Sequence, residues 1–140
     1  MKRLLFFLTL ALLPAPAQNT RELAEQARTH APADDSVASK LVHAALDRTH
    51  QLVRYEPAYV KLDYPGGDVP ADTGVCTDEV IRSYRKLGFD LQKLVHEDMK
   101  RHFANYPRHW GLSAPDKNID HRRVPNLQVF FKRQGASLPV

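Results

Sequence analysis

One residue in this chain has the chemistry of a strong nucleophile. Cys76 is its single cysteine, and it follows Gly74 and Val75. Directly after it, Val80, Ile81, Tyr84 and Leu87 recur at helical spacing. Cys76 is therefore predicted at, or just inside, a helix N-terminus. Unpaired N–H groups and the helix dipole there stabilise a thiolate, the form that attacks a carbonyl carbon. Such a thiol needs a base, usually an imidazole oriented by a third polar group. Of seven histidines, His43, His50, His96 and His102 fall within helical patterns and read as solvated surface groups. His121 stands in a loop beside Asp120, between Asn118 and Arg122-Arg123, and is the candidate base.

Other chemistries find less support. His96-Glu97 is not followed by a second histidine at zinc-peptidase spacing, and there is no Cys-x-x-Cys pair. Asp63, Asp68, Asp72 and Asp78 lack the EF-hand pattern and read as turn caps that keep a loop soluble. Gly66-Gly67 is not followed by the Lys-Ser or Lys-Thr of a phosphate-binding loop. No metal and no cofactor is expected.

The start of the chain indicates where it works. Lys2 and Arg3 precede a strongly apolar run from Leu4 to Leu13, and Ala15-Pro16-Ala17 offers small residues to a signal peptidase. Residues 1–17 are predicted to be a signal peptide cleaved after Ala17. The apolar run is far shorter than the ~20 residues needed to span a bilayer, so no stable membrane span is expected after cleavage. The expected location is periplasmic or secreted. The net charge of +4 comes from 20 basic and 16 acidic residues. Removing residues 1–17 leaves 18 basic residues against 16 acidic ones, or +2. That excess is too small for a nucleic-acid binder. Arg82, Arg85 and Lys86, and then Arg122, Arg123, Lys132 and Arg133, form two basic groups. They read as solvated faces, or as surfaces attracted to anionic cell-wall polymers or lipid head groups. In an exported chain a lone cysteine cannot form an internal disulfide. Cys76 must be buried and inert, paired with another chain, or kept reactive.

The elements that would position these groups are mostly helical. Residues 18–33 read as a flexible or partly helical lead-in, broken at Ala31-Pro32-Ala33. A single domain is expected over 34–140. Asp34, Asp35 and Ser36 offer caps to a helix from Ser36 to Gln51. Extended segments are predicted from Val53 to Leu62, interrupted by Pro57. A Gly- and Pro-rich loop runs from Pro65 to Val75. Further helices are expected from Cys76 to Leu87, then behind an Asp90 cap with Leu91, Leu94, Val95, Met99 and Phe103 buried. The last carries Pro125 in its first turn and Leu127, Phe130 and Phe131 on one face.

Four runs carry a resemblance: YEPAYV (55–60), KLDYPGGDVPADTGVCTD (61–78), DLQKLVHEDMK (90–100) and NIDHRRVPNLQVFF (118–131). Together they resemble the exported bacterial domain-of-unknown-function family numbered 1287, and more distantly the papain-like NlpC-group cell-wall cysteine peptidases and amidases. The resemblance implies an α+β fold, of which this chain is the mostly helical N-terminal portion of a papain-like domain. It also implies a nucleophilic cysteine opening a helix, which maps onto Cys76, and a base histidine on a strand of the sheet that follows. The chain departs from that wider group in having Val75 where an Asp commonly precedes the cysteine. It also reaches Val140 before any such strand, so the sheet half is expected to be missing and the domain C-terminally incomplete. An incomplete fold would leave Phe130 and Phe131 exposed. Two functions follow. One is a cysteine hydrolase of the cell envelope acting on amide or peptide bonds through Cys76, inactive if truncated. The other is a non-catalytic envelope module that binds peptide or glycan through the Pro65–Thr73 loop, with Cys76 structural.

Overall fold

The computed structural model describes residues 20–136. The expected signal peptide, and the first residues of the lead-in, lie outside them. Five helices carry the chain: α1 (Thr20–His30), α2 (Val37–Arg48), α3 (Cys76–Lys86), α4 (Leu91–His102) and α5 (Val124–Arg133). A two-residue strand β1 (Arg54–Tyr55) pairs in parallel with β2 (Thr73–Gly74). Single 3-10 turns occupy Phe103–Asn105 and Asp120–Arg122. The result is an α-rich α+β arrangement with a very small sheet.

Local chemistry sets the helix starts. The Ser36 hydroxyl accepts the Ser39 N–H at 3.1 Å to begin α2. The Asp90 carboxylate accepts the Lys93 N–H at 3.3 Å to begin α4. Pro125 lies in the first turn of α5, where a missing N–H costs nothing. Helix α3 begins without a side-chain cap from Val75. Instead Asp78 reaches back and accepts the Val75 N–H at 2.7 Å.

The core is built from α3, α4 and α5. Ile81, Leu91, Val95, Met99, Tyr106, Leu127 and Phe130 form one buried cluster, with Tyr84, Phe103, Val129 and Phe131 packed against its edge. Phe130 is thus buried and Phe131 half-buried, where exposure of both was expected. Two positions of the expected apolar stripes, Val80 and Leu94, face outward. Polar residues fill the interior beside the cluster: Gln92 and Asn126 are fully buried, and Asp98 nearly so. Burial of Gln92 and Asp98 is tolerated because they are hydrogen-bonded, whereas Asn126 pairs through its Nδ2, to the Asp120 carbonyl at 3.1 Å, and not through its Oδ1. Asp98, for example, takes the Tyr106 hydroxyl at 2.6 Å and the Arg133 guanidinium at 2.8 Å.

The extended segment differs from expectation. Only Arg54–Tyr55 pairs as strand, and its partner comes from the Gly- and Pro-rich loop. Beyond Pro57, side chains replace the ladder. The Asn118 amide oxygen accepts the Leu62 N–H at 2.9 Å, and the Tyr59 hydroxyl joins Asp116 and Asn118 at 3.0 and 2.7 Å.

Candidate active site

The approach to Cys76 is held from three sides. Gln92 on α4 accepts the Gly67 N–H at 3.0 Å and donates to the carbonyls of Asp63 at 2.9 Å and Lys117 at 3.1 Å. Arg82 on α3 donates to the carbonyls of Val69, Pro70 and Thr73 at 3.1–3.2 Å, and to Asp68 at 3.0 Å. Arg85 adds Asp68 at 2.9 Å and the Gly67 carbonyl at 3.1 Å. The loop is therefore drawn down onto α3 and α4. Its end, β2, is fixed to β1 by N–H bonds from Arg54 to the Asp72 carbonyl (2.8 Å) and from Glu56 to the Gly74 carbonyl (3.0 Å). The chain then turns at Val75 into α3.

Cys76 is the first residue of α3 and is solvent-exposed. That removes the buried, inert alternative for this thiol. It opens into a cleft of about 260 Å³ whose walls come from three chain segments. Tyr55 and Pro57 form one wall, Val75 and Thr77 flank the thiol, and Ile119, Arg122 and Val124 form the other wall. Tyr55 is 70% exposed at the rim. The lining is largely apolar and contains no carboxylate or imidazole.

A buried ion pair joins the start of α3 to the opposite wall of the cleft. Arg122 donates from Nε to Asp78 Oδ1 at 2.8 Å and from Nη2 to Oδ2 at 3.0 Å, a bidentate pair. Both side chains are almost fully buried, 2% and 3% exposed. Arg122 also donates from Nη1 to the Ala58 carbonyl at 3.2 Å, and its own carbonyl accepts the Thr77 hydroxyl at 2.8 Å. One residue thus touches all three walls of the cleft.

This arrangement corrects the picture of two solvated basic groups. Arg82 and Arg122 are buried structural donors, whereas Lys86 and Lys132 remain at the surface. Asp68 and Asp78 are engaged by arginine rather than left to solvent, while Asp78 also caps the start of α3, as the turn-cap reading expects.

The structure does not bring His121 to the cleft. Its imidazole is 2% exposed, lies in the 3-10 turn beside Asp120, and makes no hydrogen bond through Nδ1. Burial pushes its pKa down to about 4, so the ring is neutral at ordinary pH. Asp120 does not orient that ring. Its carboxylate takes the Asp116 N–H and Arg123 instead, and burial raises its pKa. Among the described residues no group of three His, Cys, Asp or Glu side chains could hold a metal ion. No helix among them is long and apolar enough to cross a membrane.

Sequence reasoning did not single out Gln92, or the pairing of Asp78 with Arg122. Gln92 offered one faint signal, a polar residue beside Leu91 and Val95 on a stripe that turns inward. The pair spans 44 positions and leaves no local trace.

Comparison with known proteins gives three findings. The profile of a family described as a domain of unknown function, DUF1287, matches residues 42–140. The uncharacterized protein YijF of Escherichia coli (strain K12) is 61% identical over 85 residues, 61% of this chain and 42% of YijF. The chain therefore spans less than half the length of this curated relative. No solved structure matches the chain.

Proposed function

Because the chain belongs to the DUF1287 family, and its cysteine opens a helix onto a solvent-filled cleft, we propose that it is an exported cell-envelope protein of the cysteine-hydrolase type. Cys76 is the nucleophile, and the bond attacked is an amide or peptide. The observation that carries this reading is the position of Cys76: first residue of α3, exposed, and facing a cleft wide enough for a substrate carbonyl. A helix N-terminus presents backbone N–H groups without intrahelical acceptors, which is the setting in which a cysteine becomes a nucleophile. In the reaction the thiolate adds to the carbonyl carbon, the amine leaves with a proton, and water then hydrolyses the thioester to acid and free thiol.

The proposed arrangement is that of the papain-like NlpC group, in which the base histidine stands on a strand of a following sheet. In this reading residues 20–136 supply the nucleophile and its cleft. His121 is left as a buried, neutral packing group. Two features weigh against the non-catalytic alternative. The backbone of the Pro65–Thr73 loop is already bound by Arg82, Arg85 and Gln92, which leaves it few free groups for a peptide or glycan. Cys76 is also too exposed to be a core residue.

The test is alkylation of the purified chain with iodoacetamide at pH 7, compared with the same chain unfolded in urea. The folded protein is expected to react at least about threefold faster than the unfolded one, and Cys76→Ser to take up no reagent. A folded protein that reacts only after unfolding, or at the unfolded rate, would overturn the reading.

A further inference from the structure

Two residues after Cys76, α3 carries a buried carboxylate. Asp78 Oδ2 accepts the N–H of Val75, the residue just before Cys76, so its negative charge lies within one turn of the sulfur. A bare anion there would oppose a second negative charge on Cys76 and cancel much of what the helix N-terminus provides. The Asp78 charge is not bare. Arg122 meets both of its oxygens, at 2.8 and 3.0 Å, in a site that water hardly reaches. A buried ion pair is a poor source of stability compared with apolar packing of similar size, so its presence calls for another account.

We propose that Arg122 is a positioning residue for Cys76: it neutralises the Asp78 carboxylate at the start of α3 while its contacts to Ala58 and Thr77 hold the walls of the cleft. The role rests on the reading of Cys76 as the reactive group. Asp78 is needed in turn because it starts α3 in place of the missing Val75 cap. The two residues divide the work: Asp78 shapes the helix start, and Arg122 removes the electrostatic penalty of doing so. No other cationic side chain donates a hydrogen bond to Asp78 among the described residues. Arg82 lies close enough to feel its charge, yet it bonds to Asp68, Glu79 and loop carbonyls instead.

The sign of the effect separates this role from mere packing. At pH 7, Arg122→Gln leaves Asp78 uncompensated and is expected to slow iodoacetamide alkylation of Cys76 by about three- to tenfold. Asp78→Asn keeps an oxygen for the Val75 N–H but leaves Arg122 as an unbalanced cation, and is expected to speed alkylation by a similar factor. The double variant carries no charge at either position and should return to within about twofold of the starting protein. A packing role would instead move both single variants in the same direction, through loosening of the cleft. Circular dichroism and thermal melts establish that each variant is folded. If Arg122→Gln does not fold, Asp78→Asn and the double variant still decide. Acceleration in the first, and its loss in the second, support the proposal. No acceleration in Asp78→Asn, or an equal change in the double variant, would overturn it. The rates are compared among variants, so the ordering can hold even if the starting protein reacts no faster than an unfolded thiol. That result would remove the hydrolase reading and keep the charge balance.

Discussion

A methyl group at position 67 would have nowhere to go. A Cβ built on Gly67 falls 2.2 Å from the Asp63 carbonyl oxygen and 2.9 Å from the Asp63 nitrogen, both backbone atoms that cannot rotate away. Gly66, its neighbour, has open space around the same position and needs glycine only for its positive φ of 79°. Gly67→Ala is therefore expected to cost about 2–4 kcal/mol, and Gly66→Ala about 1–2 kcal/mol, in urea unfolding. Equal costs would show that the loop relaxes around the added methyl. The pair also shows how far single residues could be read in advance. Gly66-Gly67 marks a turn from sequence alone, yet which glycine is sterically obligatory depends on Asp63 curling back over it. Cys76 was placed at a helix start because the evidence is local: small residues before it, an amphipathic stripe after it. Its exposure was not legible, since that depends on which segments pack beside it. His121 shows the same limit from the other side. An Asp-His neighbour suggested an oriented base, but in a 3-10 turn the two side chains take separate partners.

At the scale of elements, Arg82 does the work that a longer strand would do elsewhere. Three loop carbonyls, Val69, Pro70 and Thr73, accept hydrogen bonds from one guanidinium projecting from α3. Without it those groups turn to water and the loop loses its hold on the helix that carries Cys76. Arg82→Met keeps the aliphatic stem and removes every donor. It is expected to cost about 2–4 kcal/mol in stability. Amide exchange should accelerate most at Arg54 and Glu56, whose N–H groups bond to the loop's end, while the α4 amides change only with global stability. Uniform acceleration across α4 and the loop would contradict this division. Helix starts were readable at this scale because Ser36, Asp90 and Pro125 carry their signals in their own side chains. The sheet was not. The strand-like run after Val53 pairs over two residues only, because Pro57 lacks a donor and Asn118 captures the Leu62 N–H. Its partner, Thr73–Gly74, lies in a stretch whose composition reads only as turn.

For the molecule as a whole, acid is the condition that tests the buried polar groups together. His121 is held neutral by burial, with its pKa near 4 against an ordinary value of 6.5. In the unfolded chain the imidazole takes up a proton as pH falls through 6.5, whereas in the folded state it resists until about 4. Unfolding therefore binds a proton across that interval, and folding stability declines as pH drops through it. Taken alone, this group removes about 2 kcal/mol between pH ~7 and ~5. Asp120 acts in the opposite sense. Burial raises its pKa above the ordinary 3.8, so the folded state takes up its proton before the unfolded chain does and this group offsets part of the loss as pH falls. Asp98 acts later still. Burial would raise its carboxyl, but the hydrogen bonds from Arg133 and Tyr106 hold it below the usual range, so its contribution is lost only as pH falls below its ordinary value of 3.8. The expected profile is a fall in stability that begins near pH 6.5, flattens as Asp120 protonates, and steepens again in strong acid. Two measurements check it. The ring signals of His121 in nuclear magnetic resonance should stay constant from pH 7.5 to 5 in the folded protein. Urea unfolding of His121→Gln should lose the first decline and keep the last. A ring that titrates near 6.5 in the folded state would mean that solvent reaches His121, and the loop that carries Arg122 to Asp78 would then be open as well.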